Sequence, residues 1–327
     1  MGNNMYYFIV NTASGSGKGA DVWKRISSVL KERNVTYKAY KTGYAGHAKE
    51  LATKISSLNV EEVKLIVVGG DGTINEVING ITDFDKVIFF AIPTGSGNDF
   101  ARGMGINKNV EITTNAILDC DKTDRMDLGI AKWYDYSDTG EIEKKRLFAV
   151  SSGMGMDAEV CRRALDGKLK RTLNKYGIGA LTYLIHTLQA LFSLEKNTAD
   201  ITFTHINEKG EENRVSVRWD KFVFSGIMNF SCEGGGVPMA PKADAKDGLL
   251  SVSTGHGVTK WQTFLVLPFL VLGKHNILRC FDIRNVTKVC IANDRSIQLH
   301  TDGEYCGMVN KVEYAVEKGM LRVLSLN

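Results

Sequence analysis

The first 120 residues alternate compact apolar runs with amphipathic helical patterns, and this rhythm limits the possible folds more than any other feature. The apolar runs, which predict buried strands, lie at 6–10, 35–40, 65–68 and 87–92. Helical patterns between them place apolar residues on one face at positions 22, 26, 29 and 30, and again at 48, 51, 52 and 55. This alternation predicts a mostly parallel sheet with helices on both faces.

After about Asp127 the rhythm changes to short strand patterns that are separated by turn sequences. These patterns lie at 130–133, 146–150, 201–206, 215–219, 222–225, 249–253, 289–292, 297–299 and 312–316. Helical stretches at 158–165 and 176–192 interrupt them. The second part of the chain is therefore predicted to be an antiparallel β domain, with a domain boundary near residue 127.

The composition is that of a folded protein, because 43% of the 327 residues are hydrophobic and 24% are charged. No apolar run reaches the length of about 18 residues that a helix needs to cross a bilayer. The six cysteines form no CxxC pair and the N-terminus lacks a secretion signal, so a reducing, cytoplasmic location is expected. A net charge of +4 is weak evidence for an anionic partner and does not indicate nucleic acid.

A first glycine-rich segment, 11–20, lies between the first predicted strand and the first predicted helix. It is not a Walker A loop, because Thr12 and Gly19 stand where that loop needs a glycine and a hydroxyl residue. The spacing of Gly15, Gly17 and Ala20 matches the dinucleotide fingerprint, but no acidic residue follows about 20 positions later to bind a ribose. Phosphate binding through backbone N–H groups and a purely structural turn both stay open.

Two further segments repeat this arrangement of an apolar strand, small residues and a helix. In 67–77 three glycines surround Asp71, which can orient a magnesium ion on phosphate oxygens, while Thr73 offers the alternative of a simple helix cap. Segment 92–102 continues from the next predicted strand through Gly-Ser-Gly-Asn-Asp. Because ligands of open α/β sheets bind at the carboxyl ends of the strands, both segments are predicted to face one anionic ligand.

Taken together, these segments resemble the catalytic domain of the diacylglycerol kinase family, which includes sphingosine kinases, ceramide kinases and small bacterial lipid kinases. The segments that carry the resemblance are Asn-x-x-Ser-Gly from 11, GGDGTINEV at 69–77 and IPTGSGNDFAR at 92–102. It continues through 125–129, 153–158, 234–236, 241–248 and 302–304, and so spans nearly the whole chain. GGDGT alone is shared with NAD kinases and 6-phosphofructokinases, but the order of all these segments is distinctive of the lipid kinases.

The resemblance implies an α/β + β fold: a Rossmann-like nucleotide-binding domain over 1–126, a β-sandwich lipid-binding domain over 127–304, and an active site in the cleft between them. The C-terminal tail, about 305–327, is expected to return to the first domain. The implied catalytic residues are Glu304, as acceptor of the lipid hydroxyl proton, and Asp71. The implied nucleotide-binding residues are Asn11, Ser14, Gly15, Thr42, Gly69, Gly70, Asp71, Gly72, Thr73, Asn75, Ser96 and Asn98. A structural magnesium site is implied at Asp244, Asp247 and Leu249.

The expected activity is therefore transfer of the ATP γ-phosphoryl group, with Mg²⁺, to a lipid hydroxyl, with diacylglycerol as the expected acceptor and phosphatidic acid as the product. Such an enzyme would act in phospholipid biosynthesis at the inner face of the membrane, to which it would attach peripherally. Two alternatives stay open, a soluble-substrate kinase of the NAD kinase type and a nucleotide or lipid sensor without turnover. Asp302 competes with Glu304 for the role of base, and a homodimer is also open.

Two surfaces allow more than one interpretation. Six basic residues against one acidic residue in 162–175 indicate either a solvated helix face or a contact with anionic lipid. The apolar segment 261–272 is too short to span a membrane, and core packing is favoured over lipid contact. The six histidines show no ligand spacing, so none is assigned to a metal.

Overall fold

The computed structural model describes residues 5–137, 140–165, 189–190, 197–207 and 209–326. The chain divides into two compact units. The first unit comprises Met1–Leu128 and Lys318–Asn327, and the second comprises Gly129–Glu317.

The first unit is a parallel sheet with helices on both faces. Its elements are β1 (Tyr6–Val10), α1 (Lys18–Glu32), β2 (Tyr37–Lys41), α2 (His47–Ser56), β3 (Val63–Gly69), α3 (Asp71–Ile78), β4 (Val87–Pro93), α4 (Asp99–Gly103) and α5 (Val110–Asp119). The strands pair in the order β2-β1-β3-β4, and Val323 near the C-terminus pairs in parallel with Phe89 of β4. All residues of β1 and β3 are buried, as expected for strands that are covered on both faces.

The second unit is built from antiparallel strands. Its elements are β5 (Thr123–Ser137), β6 (Gly140–Phe148), β7 (Ser151–Gly155), α6 (Met156–Leu165), β8 (Ala199–Ile206), β9 (Glu212–Trp219), β10 (Phe222–Met228), β11 (Leu250–His256), α7 (Lys260–Val271), β12 (Phe281–Val286), β13 (Lys288–Thr301) and β14 (Glu304–Leu324). The first residues of β5, 123–128, and the last residues of β14, 318–324, belong to the first unit. The strands β12-β11-β10-β7-β13-β14 pair in that order, β8 joins β13 to β9, and β5 pairs with β6. The predicted fold class, parallel α/β followed by antiparallel β, is confirmed.

Four elements were not predicted from the sequence as helices or strands, namely α5, α7, β7 and β12. Helix α5 buries Thr113 and Thr114 together with Val110 and Ile117, so half of its buried positions are polar and the apolar periodicity is weak. The predicted helical stretch 176–192 lies outside the described residues except for 189–190. No helix among the described residues is long and apolar enough to cross a membrane.

The apolar segment 261–272 forms most of α7 and differs from the expected core packing. One side of the helix is buried, through Thr263, Leu267 and Leu270, and packs against the core of the second unit. The other side is open to solvent, and the Trp261 side chain is 77% exposed. Core packing therefore describes only one face of this helix.

Candidate functional site

Three loops of the first unit meet at the carboxyl ends of β1, β3 and β4. The backbone N–H of Asn11 donates to the Val68 carbonyl at 2.8 Å, and the N–H of Thr94 donates to the Gly69 carbonyl at 2.9 Å. The parallel register brings Val10 beside Val68 and Gly69 beside Pro93, so the three strands end at one level. This edge of a parallel sheet is the usual ligand site of open α/β folds.

Side-chain hydrogen bonds connect these loops to one another. Asn11 Nδ2 donates to Thr73 Oγ1 at 2.9 Å, and Asn11 Oδ1 accepts from the Ala13 N–H at 3.1 Å. The hydroxyl groups of Ser14 and Thr94 share a hydrogen bond of 2.5 Å. The predicted residues Asn11, Ser14 and Thr73 therefore lie together and fix the loop after β1 to the other two loops.

Several predicted glycines allow the loops to approach one another closely. A Cβ atom on Gly15 would lie 2.0 Å from the Thr94 carbonyl oxygen, and one on Gly95 would lie 2.9 Å from Gly70 Cα. A Cβ on Gly69 would lie 2.6 Å from Thr73 Cβ. These contacts require glycine for packing, whether or not a ligand binds. Gly72 lies in the first turn of α3.

The Asp71 carboxylate lies where the second and third loops meet. Its Oδ1 accepts from the Phe100 N–H at 3.2 Å, which fixes the start of α3 to α4. A Cβ atom on Gly97 would lie 3.1 Å from Asp71 Oδ2 and 3.3 Å from Asp99 Oδ2, so the two carboxylates approach the same glycine. Oxygen donors of this kind fit Mg²⁺. Sequence reasoning assigned no role to Asp99, because its segment was interpreted only as a phosphate loop.

Thr42 lies at the end of β2, and its N–H donates to the Val10 carbonyl at 3.0 Å. The following helix, α2, is held at its N-terminus by Glu76, whose carboxylate accepts from the N–H groups of Gly46 at 2.9 Å and Ala48 at 3.2 Å. A carboxylate at this position satisfies N–H groups that a helix leaves unpaired. Glu76 is part of the GGDGTINEV segment, but its role was not predicted because its partners lie about 30 positions away.

The remaining predicted nucleotide-binding residues differ in exposure. Ser96 is exposed, and Asn98 adopts a left-handed conformation and donates from Nδ2 to the Gly95 carbonyl at 2.9 Å. Asn98 Oδ1 is buried and has no hydrogen-bond partner in the described part of the chain. Asn75 is completely buried, and its Oδ1 accepts from Asn79 Nδ2 at 3.3 Å. Ser96 is therefore open to solvent, whereas the Asn75 side chain is enclosed, and the roles of both residues stay predictions.

In the second unit, Asp302 and Gly303 form a two-residue turn between β13 and β14, in which Thr301 pairs with Glu304. Both turn residues have positive φ angles, 48° and 79°, as in the type I′ turns that favour Asp-Gly. The partly buried Glu304 is the first residue of β14. The predicted base is therefore on a rigid hairpin.

The Asp302 carboxylate is anchored by the backbone of the strand entrance beside it. Its two oxygens accept from the N–H groups of Ala149 at 2.9 Å, Val150 at 2.8 Å and Ser151 at 3.1 Å. The Asp302 N–H donates to the Ser151 carbonyl at 2.7 Å. Because its carboxylate oxygens already accept these hydrogen bonds, Asp302 is better suited to hold the hairpin in place than to accept a proton from a substrate.

A buried charged cluster lies next to this hairpin. His300 Nε2 contacts Asp157 Oδ2 at 2.8 Å, and the Gly303 N–H donates to His300 Nδ1 at 3.3 Å. Burial alone lowers the pKa of His300, but Asp157, Glu233 and Asp302 outweigh it and raise this pKa to about 8. The Gly303 contact favours the neutral ring, and the carboxylates, which have the larger effect, favour the imidazolium.

Glu233 belongs to the same cluster, and both its carboxyl oxygens are buried. Burial and the neighbouring Asp157 raise the pKa of Glu233 to about 8. Asp157 and Glu233 lie in or beside the segments 153–158 and 234–236, which contribute to the family resemblance. No role for either carboxyl group was predicted, because their burial beside His300 depends on residues far apart in the sequence.

In the described part of the second unit, two groups of residues carry side chains of the types that ligate metals. The donor atoms of Asp157, Cys161 and His300 lie within 4.8 Å of one another. The direct 2.8 Å contact between Asp157 and His300 leaves no place for an ion between them, so an ion pair describes this group better.

The predicted magnesium residues lie in a loop before β11. Asp244 Oδ1 accepts from the Lys246 N–H at 3.1 Å, and Asp247 Oδ1 accepts from the Leu249 N–H at 2.9 Å. Both aspartates are exposed, and their carboxylate oxygens are the donor type that Mg²⁺ prefers. The loop fits the predicted ion by its chemistry, and the site stays a prediction.

The basic run predicted at 162–175 is only partly described. Arg162 and Arg163 both form ion pairs with Glu159, at 2.7 Å and 2.6 Å. Glu159 neutralises part of their charge. The other basic residues of the run, Lys168, Lys170, Arg171 and Lys175, lie outside the described residues.

Comparison with known proteins agrees with this geometry. The family model of the diacylglycerol kinase catalytic domain matches residues 5–131, and that of the YegS C-terminal NAD kinase beta sandwich-like domain matches 149–325. The YtlR protein of Bacillus subtilis is 28% identical over 92% of this chain and 94% of its own length. The diacylglycerol kinase of Bacillus subtilis is 27% identical over 82% of this chain and 78% of its own length.

A crystal structure of a diacylglycerol kinase from Bacillus anthracis has a TM-score of 0.65 at 17% identity, and covers 99% of this chain and 97% of that one. At this identity the similarity shows the fold. The two family models together cover most of the chain in the order that the sequence segments predict, so the resemblance is confirmed. The chain belongs to the lipid kinase family in which a diacylglycerol kinase catalytic domain is followed by a YegS C-terminal domain.

Proposed function

We propose that this lipid kinase transfers the γ-phosphoryl group of ATP to the hydroxyl group of diacylglycerol and so forms phosphatidic acid. The observation that carries the proposal is the junction of three loops at the carboxyl ends of β1, β3 and β4, fixed by the Asn11–Thr73 and Ser14–Thr94 hydrogen bonds. Glycine-rich backbone at this edge and at helix N-termini is suited to bind phosphate groups. Diacylglycerol is supported by a relative from Bacillus subtilis that bears the name diacylglycerol kinase.

Phosphoryl transfer depends mainly on positioning and on neutralising charge, with little covalent chemistry for the protein. In our proposal the loops after β1, β3 and β4 hold the triphosphate through their backbone N–H groups. Asp71 would hold Mg²⁺, which when bound neutralises charge on the phosphate oxygens, while the neighbouring Asp99 carboxylate is paired with Arg102. Phe100 fixes the orientation of Asp71 through its backbone N–H.

The acceptor hydroxyl must lose its proton as it attacks the phosphorus atom. We assign this proton to the carboxylate of Glu304, because Asp302, the competing candidate, already accepts three backbone hydrogen bonds. A positioned base typically contributes about 10²–10⁴ in rate. Since the acceptor is a membrane lipid, the proposal includes peripheral attachment to the inner face of the membrane.

The proposal is tested with radiolabelled ATP, Mg²⁺ and a panel of acceptors: diacylglycerol, monoacylglycerol, ceramide, sphingosine and NAD. Thin-layer chromatography should show label in phosphatidic acid, and Glu304→Gln should abolish it. Label in NADP alone would favour the soluble-substrate alternative. ATP binding without any labelled product would favour a sensor. Either result would overturn the proposed reaction.

A further inference from the structure

Helix α7 carries an unusual concentration of exposed apolar side chains. In the described part of the chain, seven of the thirteen large hydrophobic side chains that are exposed lie within residues 261–277. They are Trp261, Phe264, Leu265, Phe269, Val271, Leu272 and Ile277. Single exposed apolar residues are normal on protein surfaces, but a contiguous group marks an interaction site.

The exposed side of α7 is held rigidly, because the opposite side is part of the core. Thr263, Leu267 and Leu270 recur at helical spacing and are buried. Thr259 and Gln262 form a capping box at the N-terminus of the helix, and Gly273, with φ of 67°, follows its end. The apolar residues on the open side are therefore presented by a fixed helix and not by a frayed segment.

The charged residues of the same segment are all positive. Residues 257–281 contain three Lys or Arg residues and no Asp or Glu. Lys274 and Arg279 are exposed. His275 is buried, and burial lowers its pKa, so it adds no charge at neutral pH. An apolar segment whose own charged residues are all positive is complementary to a bilayer interface that contains anionic lipid.

We propose that α7 and the turn that follows it, residues 260–279, insert into the interface of an anionic bilayer. A helix of 12 residues is about 18 Å long, which is too short to cross a hydrocarbon core of about 30 Å, so the helix lies in the interfacial plane. Trp261 is suited to this region because its ring is apolar and its N–H can remain hydrated. The inference rests on the proposed function, since an enzyme that phosphorylates a membrane lipid must contact the membrane.

A second copy of the chain is the competing occupant. In a two-fold contact each patch meets its own copy, so the positive charges of one segment 260–279 would meet those of the other, with no acidic residue in the segment to pair with them. Like charges that face each other oppose such a contact. The lipid surface is therefore the occupant that the charges favour.

The test is sedimentation of the full-length protein with phosphatidylcholine vesicles, with and without phosphatidylglycerol. The wild type should bind the anionic vesicles, and salt should weaken binding, because the charge attraction is screened over roughly 8–10 Å. The double variant Trp261→Ser/Leu265→Ser should lose at least about tenfold in partitioning, since it removes two large apolar groups. Ile112→Ser, which removes another exposed apolar residue from α5, should bind like the wild type.

Activity on two forms of the substrate separates this inference from the proposed function. The Trp261→Ser/Leu265→Ser variant should retain wild-type kcat on short-chain diacylglycerol dissolved as monomers, and lose activity on vesicles that contain diacylglycerol. If the wild type phosphorylates none of the lipids, the proposed reaction is overturned. Vesicle sedimentation would still test whether α7 binds the membrane. If melting shows that the double variant is unfolded, Leu272→Ser/Ile277→Ser replaces it.

Two outcomes would overturn the inference. The first is vesicle binding by the variant that equals that of the wild type. The second is a wild-type dimer that becomes a monomer in the variant, with vesicle binding unchanged, as light scattering and sedimentation would show. That result would assign the surface to a second copy of the chain.

Discussion

The Asn11 side chain donates a hydrogen bond of 2.9 Å to the Thr73 hydroxyl, although the two residues are 62 positions apart. This bond connects the loop after β1 with the first turn of α3. Because Asn11 also accepts from the Ala13 N–H, one side chain orders its own loop and joins it to the neighbouring loop. The shape of the proposed phosphate site therefore depends on this pair.

We expect Thr73→Val to raise the KM for ATP about tenfold, which corresponds to about 1.4 kcal/mol of lost binding. The change keeps the size of the side chain but leaves the Asn11 amide without its acceptor. Thr73→Ser retains the hydroxyl and should keep KM within about twofold, a difference of less than 0.5 kcal/mol. Steady-state kinetics with ATP and thermal melting measure both effects. Wild-type KM in Thr73→Val would show that the pair does not shape the site.

The Asp71→Asn variant should lose about 10²–10³ in kcat and keep its fold. The asparagine oxygen can still accept from the Phe100 N–H, so the start of α4 stays in place, but the negative charge beside Asp99 is lost. Asp21→Asn, in an exposed pair with Lys24, is the matched control and should be fully active. The assignment would be contradicted if Asp71→Asn kept more than about a tenth of wild-type kcat, because removal of an electrostatic participant typically costs more than that.

The parallel strands of the first unit could be predicted because they are covered on both faces. The run at 65–68 is continuously apolar, and β3 is buried along its whole length. Helix α5 could not be predicted in the same way, because Thr113 and Thr114 occupy buried positions where the periodicity requires apolar residues. Strand β7 was not predicted for a related reason, since four of its five residues are serine or glycine, although all five are buried.

The location of the three glycine-rich loops followed from the topology, because parallel strands place their carboxyl ends at one edge. The detailed contacts did not follow. Nothing in the local sequence shows that the Asp302 carboxylate accepts hydrogen bonds from the backbone of Ala149 and its neighbours, 153 positions away. Nor does it show that these donors bind Asp302 and not Glu304. The burial of Asn75 was missed for the same reason, because its position in the motif does not reveal which side of α3 faces the core.

Substitution of the two hairpin carboxylates should separate stability from catalysis. Asp302→Asn turns an NH₂ group toward backbone N–H donors, and the loss of an acceptor should lower the free energy of unfolding by about 1–3 kcal/mol. Glu304→Gln should leave stability near the wild type and lower kcat by about 10²–10⁴, with little change in the KM for ATP. Urea unfolding and kinetics measure the two effects. A stable but inactive Asp302→Asn together with an active Glu304→Gln would place the base on Asp302.

The buried cluster should make the stability of the protein fall as the pH rises. The pKa values of Glu233 and His300 are both raised to about 8, from ordinary values of 4.5 and 6.5, so the folded protein binds their protons more tightly than the unfolded chain does. Their contribution is complete at low pH and is lost as the pH rises through about 8. The steepest decline is expected between pH 6.5 and 8, where both groups contribute.

Urea unfolding at several pH values between 5 and 9 tests this prediction, with a slope of at most about 1.4 kcal/mol per pH unit for each group. Glu233→Gln imitates the protonated carboxyl group, so the variant should show a shallower decline and exceed the wild type in stability above pH 8. Glu32→Gln, at an exposed position in α1, should leave the slope unchanged. Identical pH profiles for the wild type and Glu233→Gln would mean that Glu233 does not titrate in this range, and that the carboxyl group is not protonated in the folded protein at neutral pH.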